Sequence, residues 1–233
     1  MRKYIFIILS TLTISFLSFC DKNVLTKPSS LQINFKIADA PAKSGKFIFD
    51  KGFILMENFE FEGIREIGNN IAFTNKFQDG FYIDLALSTN LEMFSYDIPQ
   101  GVYQKILLRL TLFSKSTDII EKPRIEITGK YIINGTSTPI KIQCNFDEIL
   151  EMNVKNNLRT TNTLTISSEN RSTITVSINP YYWFQVITDD HLSQIELTNI
   201  SGTDYILINE QKNQKIFSLI ILRIKESTTA LFE

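Results

Sequence analysis

The chain has 233 residues, with 24 Lys and Arg, 25 Asp and Glu, one His, two Cys and one Trp. A net charge of -1 provides no basic field, which argues against nucleic acid as a partner. Two cysteines cannot build a disulfide scaffold, and one histidine leaves few routes to a His-based metal or catalytic site. The apolar fraction of 43% is typical of a folded globular chain.

Residues 1–19 have the pattern of a secretory signal peptide. A basic start, Met1-Arg2-Lys3, precedes an apolar stretch that ends at Cys20 and is too short for a comfortable membrane span. Leu17-Ser18-Phe19-Cys20 resembles the lipobox of bacterial lipoproteins, which implies cleavage before Cys20 and acylation of that residue. Phe19 departs from the lipobox pattern, in which a small residue precedes the cysteine. An uncleaved helical anchor, or a signal cut elsewhere, is the alternative.

The segment that follows Cys20 is polar and contains a proline, so residues 20–30 are predicted to form a flexible tether. A lipid on Cys20 would attach the chain to a membrane without spanning it. We therefore expect a lipid-anchored protein of the Gram-negative outer membrane. Whether it faces the periplasm or the cell surface is left open.

Residues 31–180 carry the alternation typical of β-strands. Apolar residues alternate with polar ones over 31–37, and a longer stretch over 47–61 places Phe53, Leu55, Phe59 and Phe61 on one face. Two further strands, 71–73 and 81–87, are predicted to be joined by a turn at 78–80. Many short strands with turn signals at this spacing predict an antiparallel β-sandwich.

A hairpin is the clearest local prediction. Residues 125–133 and 140–142 flank Asn134-Gly135, a pair that supplies the positive φ angles of a tight turn. Cys144 should share a face with Ile142 and Phe146, as a small core residue. The next segment, 147–152, fits either a helix or a strand.

Residues 181–233 are predicted to form an aromatic and helical extension packed on the sandwich. Thr188 precedes a short helix as its N-cap, and residues 213–228 place apolar side chains at helical spacing. Tyr181, Tyr182 and Trp183 are candidate ligand-binding residues, because exposed aromatic rings favour sugars and protein partners. The favoured alternative is that Trp183 and Phe184 lock the C-terminal helix onto the sandwich, because large aromatic residues dominate core energetics.

Three short motifs occur in order: Ala38-Asp39-Ala40-Pro41, Tyr82-Ile83-Asp84-Leu85, and Pro99-Gln100-Gly101-Val102-Tyr103. Their order resembles a family of uncharacterised bacterial lipoproteins with a transthyretin- or immunoglobulin-like sandwich, marked by T-D-A-P and P-x-G-x-Y motifs. Ala38 stands where that family has Thr. In the third motif Pro99 and Gly101 should shape a turn, and Tyr103 should begin the next strand with its ring packed back over that turn. The resemblance implies a fold and a lipid anchor, and it implies no enzymatic activity.

Two clusters could support chemistry. Asp189-Asp190-His191 contains metal-ligand types, but helix capping accounts for the two carboxylates. Asp147, Glu148 and Glu151 could form a carboxylate pair for glycoside chemistry if their segment were helical, but a solvated acidic face is the favoured interpretation. Motifs for a serine nucleophile, a phosphate loop or a Cys-x-x-Cys site are missing from the sequence. We expect no enzyme and no cofactor.

These observations together predict a non-catalytic recognition module that binds a glycan or a protein. An accessory subunit docked on an outer-membrane β-barrel complex is the alternative.

Overall fold

The computed structural model describes residues 27–38, 46–86, 91–113, 122–133, 135–146, 148–157 and 163–233. Its strands are β1 (Pro28–Ile37), β2 (Phe47–Arg65), β3 (Ile71–Ala86), β4 (Leu91–Pro99), β5 (Gly101–Leu112), β6 (Ile125–Ile133), β7 (Thr136–Cys144), β8 (Ile149–Asn156), β9 (Leu164–Ile166), β10 (Ser172–Ile178), β11 (Leu197–Ile200), β12 (Thr203–Ile208) and β13 (Thr229–Phe232). The helices are α1 (Pro180–Trp183), α2 (Asp189–Ser193) and α3 (Gln214–Ser227), with a 3-10 turn at Phe184–Val186.

The strands form one mixed sheet in the order β11-β12-β7-β6-β2-β5-β8-β13-β10-β1-β4, with β3 paired to β2 and β9 paired to β5. The pairs β1–β10, β7–β12 and β8–β13 are parallel. The prediction of a mainly β protein with a C-terminal helix is confirmed. The sheet is mixed where an antiparallel one was expected, because strands far apart in the sequence join it through long crossovers.

The long strand β2 pairs with two different strands along one of its edges. Its residues Phe47–Ile54 pair with β6, whereas Met56–Arg65 pair with β5 on the same edge. At the junction, the Leu55 N–H donates to the Arg124 carbonyl (2.7 Å) and the Leu55 carbonyl accepts from the Phe113 N–H (3.0 Å). Strand β2 therefore links β5 and β6 within one sheet through continuous backbone hydrogen bonds.

A β-bulge changes which side chains of β2 face the core. The register of β2 with both β3 and β5 shifts between Met56 and Asn58. Phe59 and Phe61 are buried, whereas Phe53 lies on the opposite, outer face and is partly exposed. The prediction that Phe53 shares a face with Phe59 and Phe61 is wrong, because an inserted residue inverts the alternation that follows it.

Strand β3 is continuous where two strands and a turn were predicted. Lys76 pairs with Asn58 and Phe81 with Met56, so residues 77–80 form an excursion opposite the β2 bulge. Gly80 has a φ of 76°, a backbone angle that L side chains rarely adopt. The turn signal at 78–80 therefore marks an irregularity within one strand.

Aromatic rings fill the space where the sheet folds back on itself. Phe59 of β2 contacts the rings of Phe94 and Tyr96 on β4, with centroids 5.1 and 5.8 Å apart. Phe73 of β3 lies 4.5 Å from Tyr96. In the described part of the chain, backbone hydrogen bonds pair β4 with β1 and not with β2 or β3, so these rings pack face against face. The Asn75 side chain of β3 donates to the Tyr96 hydroxyl at 2.7 Å across the same contact. Burial raises the pKa of Tyr96 to about 12.

The Pro-x-Gly-x-Tyr motif forms the corner between β4 and β5. Gly101 has a φ of 141°, which favours glycine. The buried Tyr103 ring packs back over the turn, and its hydroxyl donates to the Pro99 carbonyl at 2.6 Å. Arg65 donates from Nη2 to the Gln100 carbonyl at 2.6 Å. The predicted role of the motif is confirmed, since the tyrosine ties the two strands on either side of the corner.

The β6–β7 hairpin is confirmed and is tighter than expected, because Ile133 pairs directly with Thr136. The segment 147–152 contains the start of strand β8, so its helical alternative is wrong. Cys144 is buried, as predicted. Strand β1 begins at Pro28, which places residues 28–30 in the sheet and shortens the predicted tether. Cys20 lies outside the described residues.

The segment after residue 180 adds three strands to the sheet as well as packing helices on it. Strand β13, which the sequence did not predict, lies between β8 and β10. The apolar stripe of α3 is buried, as predicted. Asn213, at the start of α3, binds the carbonyl groups of Leu207 and Glu196 instead of capping the helix.

Candidate functional site

The aromatic residues after β10 serve mainly to attach the helices to the sheet. Trp183 is 0% exposed and its indole N–H donates to the Ser227 hydroxyl at 2.6 Å. Tyr181 is buried against Phe49, and its hydroxyl accepts the Phe49 backbone N–H at 3.3 Å. Two of the three candidate ligand-binding residues therefore present no ring face to solvent, as in the alternative in which they lock the helices in place.

Tyr182 is the candidate that stays partly exposed. The Arg223 guanidinium lies over its ring at 4.8 Å, and its hydroxyl donates to Glu226 at 3.3 Å. Leu222, on the same helix as Arg223, is 76% exposed. One ring covered by its neighbour's guanidinium offers a small contact surface.

The Asp189-Asp190-His191 cluster forms the first turn of α2. The Thr188 hydroxyl accepts from the His191 backbone N–H, and His191 Nδ1 accepts from the Thr188 backbone N–H, which is a capping box. Asp189 pairs with Lys46 at 3.0 Å. Across the described ranges, no group of three or more His, Cys, Asp or Glu could hold a metal ion. Capping and an ion pair account for this cluster.

The acidic residues near β8 are engaged separately. Glu148 forms an ion pair with Lys225 of α3, and Glu151 binds Arg109 of β5 at 2.8 Å. Arg109 also contacts Glu62 at 3.4 Å, so one guanidinium serves several carboxylates on the outer face. Asp147 lies outside the described residues. The structure does not bring Glu148 and Glu151 together as an acid–base pair.

Cys144 has no accessible thiol. Its side chain is buried in the core, and desolvation raises the pKa of the thiol far above its usual range. The thiolate needed for reactivity is therefore disfavoured.

A polar cavity of about 330 Å³ lies between α2 and the start of α3, lined by His191, Gln194, Glu196, Gln211, Asn213, Gln214, Lys215 and Ile216. Its side chains bind one another: Lys215 donates to Gln194 Oε1 at 3.0 Å, and Asn213 accepts from the Glu196 N–H at 2.9 Å. The polar groups of this cavity thus contribute to holding α2 and α3 together.

The outer face of β3, β2, β6, β7 and β12 carries a different arrangement, which we call the diagonal strip. Its members are Lys122, Tyr82, Phe53, Glu126, Lys141, Gln143 and Tyr205. The β2 bulge directs Phe53 outward, and Phe53 then lies beside Glu126 of β6 in the sheet register. Side chains directly opposite each other on neighbouring strands are in contact range. The strip follows from the register of five strands.

Side-chain contacts connect the two halves of the diagonal strip internally, and the register places Phe53 opposite Glu126 between them. The rings of Phe53 and Tyr82 meet edge to face with centroids 5.2 Å apart. Glu126 accepts a hydrogen bond from Gln143 at 2.8 Å and pairs with Lys141 at 3.5 Å. The Lys141 ammonium lies 5.9 Å from the centre of the Tyr205 ring. The result is a continuous surface with aromatic rings at both ends and a paired, polar centre.

The strip is open to solvent where a ligand would need it. Tyr82 is 42% exposed, and the side chains of Phe53 and Tyr205 are partly exposed. Lys122 places its ammonium 5.8 Å from the Tyr82 ring centroid. A tyrosine side chain combines an apolar ring with a polar hydroxyl, so it can contact a ligand at a surface that stays hydrated.

The amino-acid sequence alone does not predict the diagonal strip. Its alternation places Phe53 on the same face as the core phenylalanines, and it contains no register that connects Tyr82 with Tyr205. The signal that could have found part of it is the outward alternation of Glu126 and Lys141 in the predicted hairpin.

Comparison of the chain with protein-family models, with curated proteins and with solved structures found no match. The helices in the described part of the chain are all too short or too polar to cross a membrane.

Proposed function

We propose that this protein is a lipid-anchored recognition module of the outer membrane, and that it binds its ligand on the diagonal strip. The observation that supports this most directly is the strip itself, in which exposed rings and hydrogen-bonding side chains form one contiguous surface. Ligand sites combine apolar contact area with a few well-placed polar groups, and both are present here. We expect the protein to bind this ligand without changing it chemically.

The anchor is the acylated Cys20, supported by the lipobox-like Leu17-Ser18-Phe19-Cys20 pattern. Strand β1 begins at Pro28, so seven residues separate Cys20 from the sheet. The eight Cα-to-Cα steps from Cys20 to Pro28 span at most about 29 Å when fully extended. The module would therefore operate close to the bilayer surface, on whichever side it faces.

We also infer that the sheet forms a sandwich of the transthyretin- or immunoglobulin-like kind, related to the lipoprotein family with the P-x-G-x-Y motif. The ring contacts of Phe59 and Phe73 with β4 support two packed faces. The Tyr103 hydrogen bond to Pro99 supports the corner that this motif would form.

Site-specific photo-crosslinking in the native cells tests the function. A photoreactive amino acid is placed at Tyr82, at Tyr205 or, as the control on the helical surface, at Tyr182 in the full-length chain. We expect cross-linked products from the first two positions and none from Tyr182. Products from Tyr182 alone, containing an outer-membrane β-barrel protein, would instead support an accessory subunit docked through its helices.

Metabolic labelling with a palmitate analogue tests the anchor in the same cells. We expect label on the wild-type protein and none on Cys20→Ala, which should also leave the membrane fraction. A wild-type protein without label would contradict the lipid anchor, whatever the cross-linking shows.

A further inference from the structure

We infer that the ligand of the diagonal strip is an uncharged, linear oligosaccharide that lies across the strands, an inference that rests on the proposed function. The length of the strip, its charge pairing and the position of its aromatic rings all favour such a ligand.

The length of the strip favours an extended ligand. Tyr82 on β3 and Tyr205 on β12 are separated by four strand-to-strand steps, through β2, β6 and β7. At about 4.8 Å a step, this is about 19 Å across the sheet alone. A single sugar cannot contact both rings, whereas a chain of several sugars reaches from one to the other.

The charges of the strip favour a neutral ligand, because Lys122 and Lys141 are balanced by Glu126 and by the exposed Asp84, which lies opposite Phe53 in the register. Glu126 already binds both Lys141 and Gln143, and Lys141 is also positioned near the Tyr205 ring. An anionic or cationic ligand at the centre would have to break this pair, and the partner left behind would lose its counter-ion. Hydroxyl groups can donate to and accept from the same side chains while the pair stays intact.

The arrangement of the strip differs from that of a protein interface. Protein interfaces place apolar and aromatic residues at the centre and charged residues at the rim. Here the ion pair of Glu126 and Lys141 lies in the middle, and the rings of Tyr82 and Tyr205 lie at the ends. Rings spaced along a polar surface suit a chain of sugars, whose flat faces carry C–H groups and whose edges carry hydroxyls.

Calorimetric titration of the detergent-purified full-length protein tests this inference. The neutral probes are cellohexaose, maltohexaose, xylohexaose and mannohexaose, the short probe is the disaccharide of whichever binds, and the charged probe is hexagalacturonate. We expect at least one neutral hexaose to bind at least about tenfold more tightly than its disaccharide, and hexagalacturonate to bind more weakly. Binding of hexagalacturonate alone, or of none of these sugars, would overturn the inference.

Three variants locate the binding. Tyr82→Ala and Tyr205→Ala should each weaken hexaose binding about tenfold, which corresponds to about 1.4 kcal/mol. Tyr182→Ala, on the helical surface, should leave the affinity within about twofold. Equal affinities in wild type, Tyr82→Ala and Tyr205→Ala would contradict a ligand that lies along the strip.

Together with the sugar titration, the cross-linking experiment distinguishes failure of the oligosaccharide inference from failure of the proposed recognition function. If Tyr82 cross-links to a protein in cells and none of the sugars binds, the recognition function holds and the oligosaccharide inference is wrong. If Tyr82 and Tyr205 yield no product and none of the sugars binds, both are wrong.

Discussion

Two groups of aromatic side chains lie on opposite faces of the same strand. On the inner face of β2, Phe47 and Phe49 pack against Phe184, with ring centroids 4.3 and 5.5 Å away. On the outer face, Phe53 contacts the exposed ring of Tyr82. The inner group attaches the helices to the sheet, whereas the outer group leaves ring surface in solvent. The same residue types thus serve stability on one face and are available for binding on the other.

The polar tips of the two groups differ in the same way. The Trp183 indole N–H and the Tyr181 hydroxyl are both hydrogen-bonded inside the protein. On the outer face, the polar contacts of the strip are made by Glu126, Lys141 and Gln143, and the rings stand beside them. Substitution of the inner group should change stability, and substitution of the outer group should change binding.

The largest expected effect is on Trp183. Trp183→Ala should lower the free energy of unfolding by about 3–5 kcal/mol, because it leaves a cavity and removes the partner of Ser227. Urea denaturation measures it, with the 76% exposed Leu222 as control: Leu222→Ala should change stability by less than about 0.5 kcal/mol. Equal stability of the wild type and Trp183→Ala would remove the distinction between the two groups.

An intermediate effect is expected at the corner. Tyr103→Phe keeps the buried ring but removes the donor to the Pro99 carbonyl, so we expect a loss of about 1–2 kcal/mol. The same change at Tyr82, Tyr82→Phe, should cost less than about 0.5 kcal/mol because its hydroxyl lies on an exposed surface. Thermal unfolding of both variants measures the two losses of stability. Equal losses for Tyr103→Phe and Tyr82→Phe would contradict a stabilising role of the Tyr103 hydrogen bond.

The smallest effect on stability is expected on the strip. Tyr82→Ala and Tyr205→Ala should each change the free energy of unfolding by less than about 1 kcal/mol, since little buried area is lost. Urea denaturation of the variants used for binding measures this. A loss as large as that of Trp183→Ala would show that the strip is part of the folded core, and would make any loss of binding uninformative.

Local signals predicted part of this fold well. Asn134-Gly135 and the alternation around it gave the hairpin, and Pro99, Gly101 and Tyr103 gave a corner whose contacts lie within five residues. The spacing of Ile216, Ile220 and Ile224 gave helix α3. In each case the residues that determine the local structure are neighbours in the sequence, so their pattern is sufficient to predict it.

Features set by distant contacts were not predictable in this way. The β2 bulge and the β3 excursion compensate for each other across two strands, and neither strand alone shows them. Strand β13 has four residues after a helix, and its partners β8 and β10 lie far away in sequence. The strip depends on the β2 bulge, and its members come together only once the register of β3, β2, β6, β7 and β12 is known.

The place of β13 has a consequence for how the protein folds. Residues 229–232 supply the hydrogen bonds that join β8 to β10, and thereby β10, β1 and β4 to the rest of the sheet. A chain that lacks these residues would keep two separate partial sheets, each with an open edge able to pair with another molecule. The sheet can close only after β13 has found partners made much earlier in the sequence, which is the slow kind of search in folding. Until then the edges of β8 and β10 are open to pairing with other chains.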